Sequence, residues 1–96
     1  MKITDLEILR MKAHTESHIH TDSGISGIGE GSLQYKDAAL AAELEAFGSF
    51  LRGKDPFQIE DIWTSLHRRV TWTGGAVTIS AISAIDLALW DIKGKA

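Results

Sequence analysis

The chain contains no cysteine. That excludes disulfides and thiolate chemistry, and it leaves the redox compartment unmarked beyond fitting the cytosol. Positive charge is not in excess, because 10 Lys and Arg stand against 13 Asp and Glu for a formal net charge of −3. The basic footprint expected of a nucleic-acid binder is missing, and so is a polybasic patch for a membrane surface. No apolar run approaches the ~18 residues of a membrane-spanning helix. The opening stretch, MKITDLEILRMK, is charged throughout and matches neither a signal peptide nor a transit peptide. Internal repeats, low-complexity segments and long linkers are also lacking. The expectation from these absences is a soluble, cytoplasmic, mildly acidic protein with neither nucleic acid nor membrane as a partner.

What is present fits one small domain. The chain has 96 residues, 44% hydrophobic and 24% charged. A core is affordable at this size, but the stability margin is narrow. The first third is rich in β-branched residues and glycine. KITDLEILRM alternates as a strand, with Leu6 and Ile8 on one face and Leu9 and Met11 on the other. HIHT reads as a short second strand, TDSG as a turn around Asp22 and Gly24, and ISGIGEG as a third strand that loses side chains as it goes.

From Lys36 the period changes. Leu40, Leu44, Phe47 and Leu51 recur at helical spacing, and Gly53 is placed to stop that helix. DPFQ then reads as a helix start, with Asp55 as N-cap, Pro56 at the first helical position and Gln58 closing a capping box. Ile59, Trp63, Leu66 and Val70 form the apolar stripe of this second helix. A third begins near Ala76 or Val77 and runs to the last residues. Ile79, Ile82, Ile85, Leu89 and Ile92 share one side of it, Ala81, Ala84 and Ala88 widen the arc, and Trp90 extends it. Only a sector around Ser80, Ser83, Leu87 and Asp91 is left to face water. Such a helix is expected to be buried by several neighbours. Three strands followed by three helices make an α+β fold, not an alternating β-α one.

Chemistry is sparse. GISGIGEG follows a strand and precedes a helix, but no G-x-G-x-x-G can be drawn through it, so a glycine-rich strand end is the better reading. His18 and His20 share a strand face and have the spacing to hold a metal together with His14 or Glu16. A solvated polar face accounts for them more simply. His67 to Arg69 suit the C-terminal end of a helix. Asp86 lies within about 40° of Ile82 on a wheel of ~100° per residue, inside the apolar arc, with Lys93 nearly eclipsed two turns on. A carboxylate so placed is expected to find a partner. Trp72, in a loop beside two glycines, suits a ligand site and a domain junction about equally. No acid–base pair, nucleophile dyad or metal triad converges, so the catalytic residues are none and the metal ligands are none.

The segment SAIDLALWDIKGKA closely resembles the S-A-[IV]-D-x-A-L-W-D-I-x-[GA]-K stretch at the junction between capping domain and barrel in the enolase superfamily, mandelate racemase/muconate lactonizing enzyme subgroup. MKITDLEILR is similar to that family's first strand, IHTDSGISGIGEGS to its T-D-x-G-I-x-G-x-G-E hairpin, and LRGKDPFQIEDIW to its G-[KR]-D-P-x-x-I-E-x-[LI]-W helix start. The resemblance covers nearly the whole chain and is nearest to acid-sugar dehydratases of the galactonate and mannonate type.

The resemblance implies an N-terminal capping domain over residues 1–96, ending where a (β/α) barrel begins; barrels run to ~250 residues. It implies Mg2+ held by barrel carboxylates that this chain lacks, and a sugar acid as substrate. The cap's partner would be the barrel of the same enzyme, in a homo-oligomer. Family caps shape specificity through two loops, here around Ala13 to Ser17 and Gly31 to Lys36. On this resemblance Thr15, Gln34 and Trp72 are substrate-binding positions. Gln34 stands where mannonate dehydratases carry Asn, a departure from that pattern. Between Met11 and Ile19 the chain is shorter and more polar than its relatives. Racemisation or cycloisomerisation on the same scaffold is a sibling reading. A stand-alone interaction module, docking through the wide apolar arc of the last helix, is the alternative from another class.

Overall fold

The computed structural model describes residues 1–10, 15–31, 37–69 and 76–96. Strands β1 (Ile3–Arg10), β2 (Thr15–Thr21) and β3 (Ser26–Gly31) precede helices α1 (Asp37–Leu51), α2 (Ile59–Arg69) and α3 (Ala76–Lys95). The strands form one antiparallel sheet in the order β1-β2-β3. The helices cover one face of it, as the α+β reading expects.

The central strand departs from the sequence reading. The sequence pattern places it over HIHT, yet it begins at Thr15, so Thr15 to Ser17 belong to the sheet and not to a loop. The cause is pairing on both sides. Thr15 lies between Arg10 and Gly31, Glu16 between Leu9 and Glu30, and Ser17 between Ile8 and Gly29. A strand flanked on both edges has its backbone groups satisfied by neighbours, which overrides a polar local sequence. Thr15, Ser17, Ile19 and Thr21 point into the core, while Glu16, His18 and His20 occupy the outer face.

A register shift between Ile3 and Asp5 lets one extra residue into β1. The bulge puts Ile3 and Leu6 on the same side despite their odd spacing. Leu6 and Ile8 share the inner face, as the alternation predicted, and pack against the core. At the β2–β3 turn, Gly24 takes φ 86°, the left-handed conformation that glycine holds without strain. The backbone N–H of Lys2 donates to Asp22 Oδ1 at 2.9 Å, tying the first residues to this turn.

Helix α1 buries Leu40, Leu44, Phe47 and Leu51, the stripe its sequence shows. Gly53, also at φ 86°, ends it. Gly53 N–H then donates to the Ile3 carbonyl at 2.8 Å, which joins the helix exit to the start of β1.

The second helix starts later than DPFQ suggested. Asp55 caps a separate turn, its Oδ1 accepting from Phe57 N–H at 3.0 Å and its carbonyl from Gln58 N–H at 3.1 Å. Pro56 is tucked into the core. The Gln58 carbonyl accepts from Ile62 N–H at 3.0 Å, so helical bonding begins there. Aspartate favours such local turns because its side chain reaches the N–H two residues on. The buried stripe of α2 is Ile59, Ile62 and Leu66, and Trp63 is 47% exposed. Helix α2 packs chiefly on α3, so it buries a narrow seam. Val70 lies outside the described residues.

Helix α3 lies on β3. Ala81, Ile82, Ala84, Ile85, Ala88, Leu89 and Ile92 are buried. The bare strand explains how they fit: a Cβ built at Gly29 would sit 1.8 Å from the Ala84 carbonyl oxygen, and one at Gly27 2.0 Å from that of Ala88. Glycines on the strand and alanines on the helix bring the two backbones into contact. The arc is narrower than expected, however. Ile79 and Trp90, read as covered, are 55% and 51% exposed, as is Leu87 at 51%. The sheet, α1 and α2 occupy the other sides of α3; among the described residues nothing covers Ile79 and Leu87, and Trp90 borders an open groove toward α2.

Candidate functional site

The ladder sets Arg10, Thr15 and Gly31 side by side at one end of the sheet. A Cβ built at Gly31 would be 3.3 Å from Leu40 Cδ2 and 3.7 Å from the Ser80 carbonyl. The first turns of α1 and α3 therefore meet at that same end. Helix α2 runs antiparallel to α3, since Phe57 and Gln58 lie by Lys93 and Thr64 lies by Asp86. Its last turn points the same way. The connections β1–β2, β3–α1 and α2–α3 thus all leave from one end of the domain. A hollow of about 300 Å³ opens there, lined by Glu30, Gly31, Ile79, Ser80 and Ser83.

Of the three substrate-binding positions, Gln34 and Trp72 lie outside the described residues. The connections that carry them spring from this end. Thr15 is at the end too, but its side chain is fully buried against the helices. Its hydroxyl, like that of Ser17, has no hydrogen-bond partner among the described residues.

The outer sheet face carries the two histidines side by side, as period two requires, with ring centroids 6.4 Å apart. Each is taken up by neighbours. His18 Nε2 lies 2.9 Å from Glu16 Oε1; His20 Nε2 lies 3.0 Å from Glu7 Oε1, and its Nδ1 2.7 Å from Ser26 Oγ. Among the described residues, no three His, Asp or Glu side chains converge to hold a metal. His67 packs against Trp63 with the rings tilted by 52° and their centroids 4.1 Å apart.

Two carboxylates of α3 take opposite roles. Asp91 Oδ2 accepts from Ile28 N–H at 2.9 Å and from Lys95 Nζ at 2.8 Å. Lys95 Nζ also donates to the Ser26 carbonyl at 2.9 Å. The pair closes the free edge of β3, and the Lys95 hydrogen bond, then the Ile28 N–H, hold Asp91 below its usual pKa. The sequence signal for this clasp is an acid four residues before a lysine on one helix. Asp86 is the reverse case. It is partly buried, and burial raises its pKa. The partner expected for it is not Lys93, whose Nζ lies 5.0 Å over the Trp90 ring instead. Asp86 opens into a groove of about 410 Å³ between α2 and α3, shared with Ile59, Glu60, Trp63, Thr64 and Trp90.

Residues 13–96 match the family model described as "Mandelate racemase / muconate lactonizing enzyme, N-terminal domain". A D-galactonate dehydratase of Variovorax paradoxus is 45% identical over 97 aligned residues, covering 100% of this chain and 25% of that protein. A D-galactonate dehydratase family member of Pseudarthrobacter chlorophenolicus is 50% identical over 78 residues, 80% of this chain and 19% of that protein. Among solved structures, an enolase from Pantoea ananatis with bound D-gluconate and Mg superposes with a TM-score of 0.90 at 36% identity, covering 98% of this chain and 24% of that one. A member of the enolase superfamily from Salmonella Typhimurium gives 0.92 at 34% identity, over 98% of this chain and 26% of that one. The chain spans about a quarter of the length of the relatives it matches.

Proposed function

Because the chain belongs to the mandelate racemase / muconate lactonizing enzyme N-terminal domain family, we propose that it is the capping domain of a magnesium-dependent acid-sugar dehydratase-like enzyme. On this proposal residues 1–96 shape substrate specificity, and the chemistry belongs to a barrel that follows them. The observation that carries it is full-length similarity, at 45% identity, to one quarter of a D-galactonate dehydratase. The bound D-gluconate and Mg of the Pantoea ananatis structure support a sugar acid and a metal. Among the described residues no three carboxylates or histidines converge on a metal position; on this proposal carboxylates of the barrel would hold the ion.

The work proposed for this chain is done at the end from which its three connections leave. Gln34 and Trp72 would present an amide and an indole to the substrate, and Glu30, Ser80 and Ser83 line the hollow at this end. An amide selects among sugar hydroxyls by hydrogen bonding, and an indole excludes water from the reacting carboxylate. Thr15 shapes the site from beneath, because its side chain is turned into the core. Racemisation or cycloisomerisation remains the sibling outcome, since the acid and base are elsewhere. The exposed Ile79, Leu87 and Trp90 favour a chain that works in contact with a partner, the barrel first and further copies in a homo-oligomer second.

The test is a chimera in which this chain replaces the homologous residues of the Variovorax paradoxus enzyme. It is expected to dehydrate D-galactonate with magnesium, and Gln34→Ala or Trp72→Ala to raise KM or change the preferred sugar acid. The purified 96-residue chain is expected to show no turnover. Activity of the chain alone, or a folded chimera whose substrate preference ignores both substitutions, would refute the proposal.

A further inference from the structure

Helix α3 is closed on its β3 side and open on its α2 side. In the open groove, Trp63 is 47% and Trp90 51% exposed. They share it with two carboxylates, Asp86 and Glu60. Among the described residues, no cation reaches Asp86. A partly buried carboxylate in a groove shared with two tryptophans suits one kind of counter-ion above others. Guanidinium is planar, sheds water more readily than ammonium, forks onto a carboxylate and stacks on aromatic faces. Trp90 already attracts a cation, the Lys93 ammonium at 5.0 Å.

We propose that this groove seats an arginine side chain presented by the remainder of the longer enzyme, its guanidinium paired with Asp86 and stacked on Trp63 and Trp90. The inference rests on the capping-domain reading. Two observations choose that occupant. The groove's lining carries two carboxylates, and among the described residues no cation pairs with Asp86. And the chain spans 25% of the Variovorax paradoxus protein, so three quarters of such a protein lies outside it and must touch it somewhere. Burial pushes the Asp86 carboxyl up when nothing faces it; a seated arginine would reverse that.

The experiment compares Asp86→Asn in two settings. In the chimera with the Variovorax paradoxus barrel, the substitution is expected to lower the melting midpoint by about 2–4 °C. Asp86→Glu should restore most of the loss, and high salt should narrow the gap between parent and Asn variant. In the isolated chain the same substitution should leave the midpoint unchanged or raise it, since a desolvated charge is removed. A drop of equal size in both settings would overturn the proposal, as would a folded chimera indifferent to Asp86→Asn. A homodimer of the isolated chain that Asp86→Asn dissolves would assign the groove to a second copy and overturn it too. A chimera that cannot fold with Asp86 intact would sink the capping-domain reading, and this inference with it.

Discussion

The two sides of α3 are built on opposite terms. Toward β3 the helix has no side chains to spare: Ala84 and Ala88 meet Gly29 and Gly27 backbone to backbone. Toward α2 it carries its largest residue, Trp90, beside a carboxylate, and leaves a groove. The first side is complete within the chain and tolerates nothing added. The second is apolar and charged at once, and its two tryptophans stay about half exposed. The difference separates a seam that holds the domain together from a surface that the described residues leave open.

Substitutions rank accordingly. Leu89→Asp puts a charge into the centre of the buried stripe and should cost about 4 kcal/mol or more. Against total stabilities of about 5–15 kcal/mol that is enough to unfold so small a domain, which far-ultraviolet circular dichroism would show. Gly29→Ala adds a Cβ only 1.8 Å from the Ala84 carbonyl oxygen. Helix and strand would have to part, at about 3 kcal/mol by urea denaturation; a near-neutral result would refute the close-packed seam.

Asp91→Asn tests the clasp on the β3 edge. Its carboxyl is held below 3.8 in the fold. The stabilisation is therefore present above that value and lost as pH falls through the lower, folded pKa. The variant should unfold with a flatter acid limb than its parent, and an unchanged limb would remove the clasp. Asp86 has the opposite sign. Its folded pKa is raised above 3.8, so the isolated chain loses stability as pH rises between that value and the folded one. Asp86→Asn should abolish this loss. The smallest effect belongs to Ser17→Ala. The Ser17 hydroxyl is buried without a partner among the described residues, and removing it should stabilise the chain by about 1 kcal/mol. Destabilisation would mean that the hydroxyl has a partner after all.

The bareness of β3 and the alanines of α3 were each legible in the sequence, but their meeting was not, because nothing in either element's period names the other as its partner. The Trp63–Trp90 groove was not legible. Helical spacing assigned both tryptophans to buried arcs, and spacing says which residues share a side without saying whether a neighbour covers it. Similarly, the period of two paired His18 with His20, but the carboxylates that engage them come from β2 itself and from β1.

The sequence by itself determined the order of strands and helices, the stripe of α1, the stop at Gly53 and the family. Those depend on local propensity and short-range period, which a single chain carries in full. Only the tertiary structure decided that Thr15 and Ser17 lie in the sheet, that Asp55 caps a turn instead of a helix, and that Asp91 reaches the backbone of Ile28. Each of these is a hydrogen bond or burial settled either by a distant segment or by competition between local turns, and no periodicity within one element encodes the identity of its neighbour.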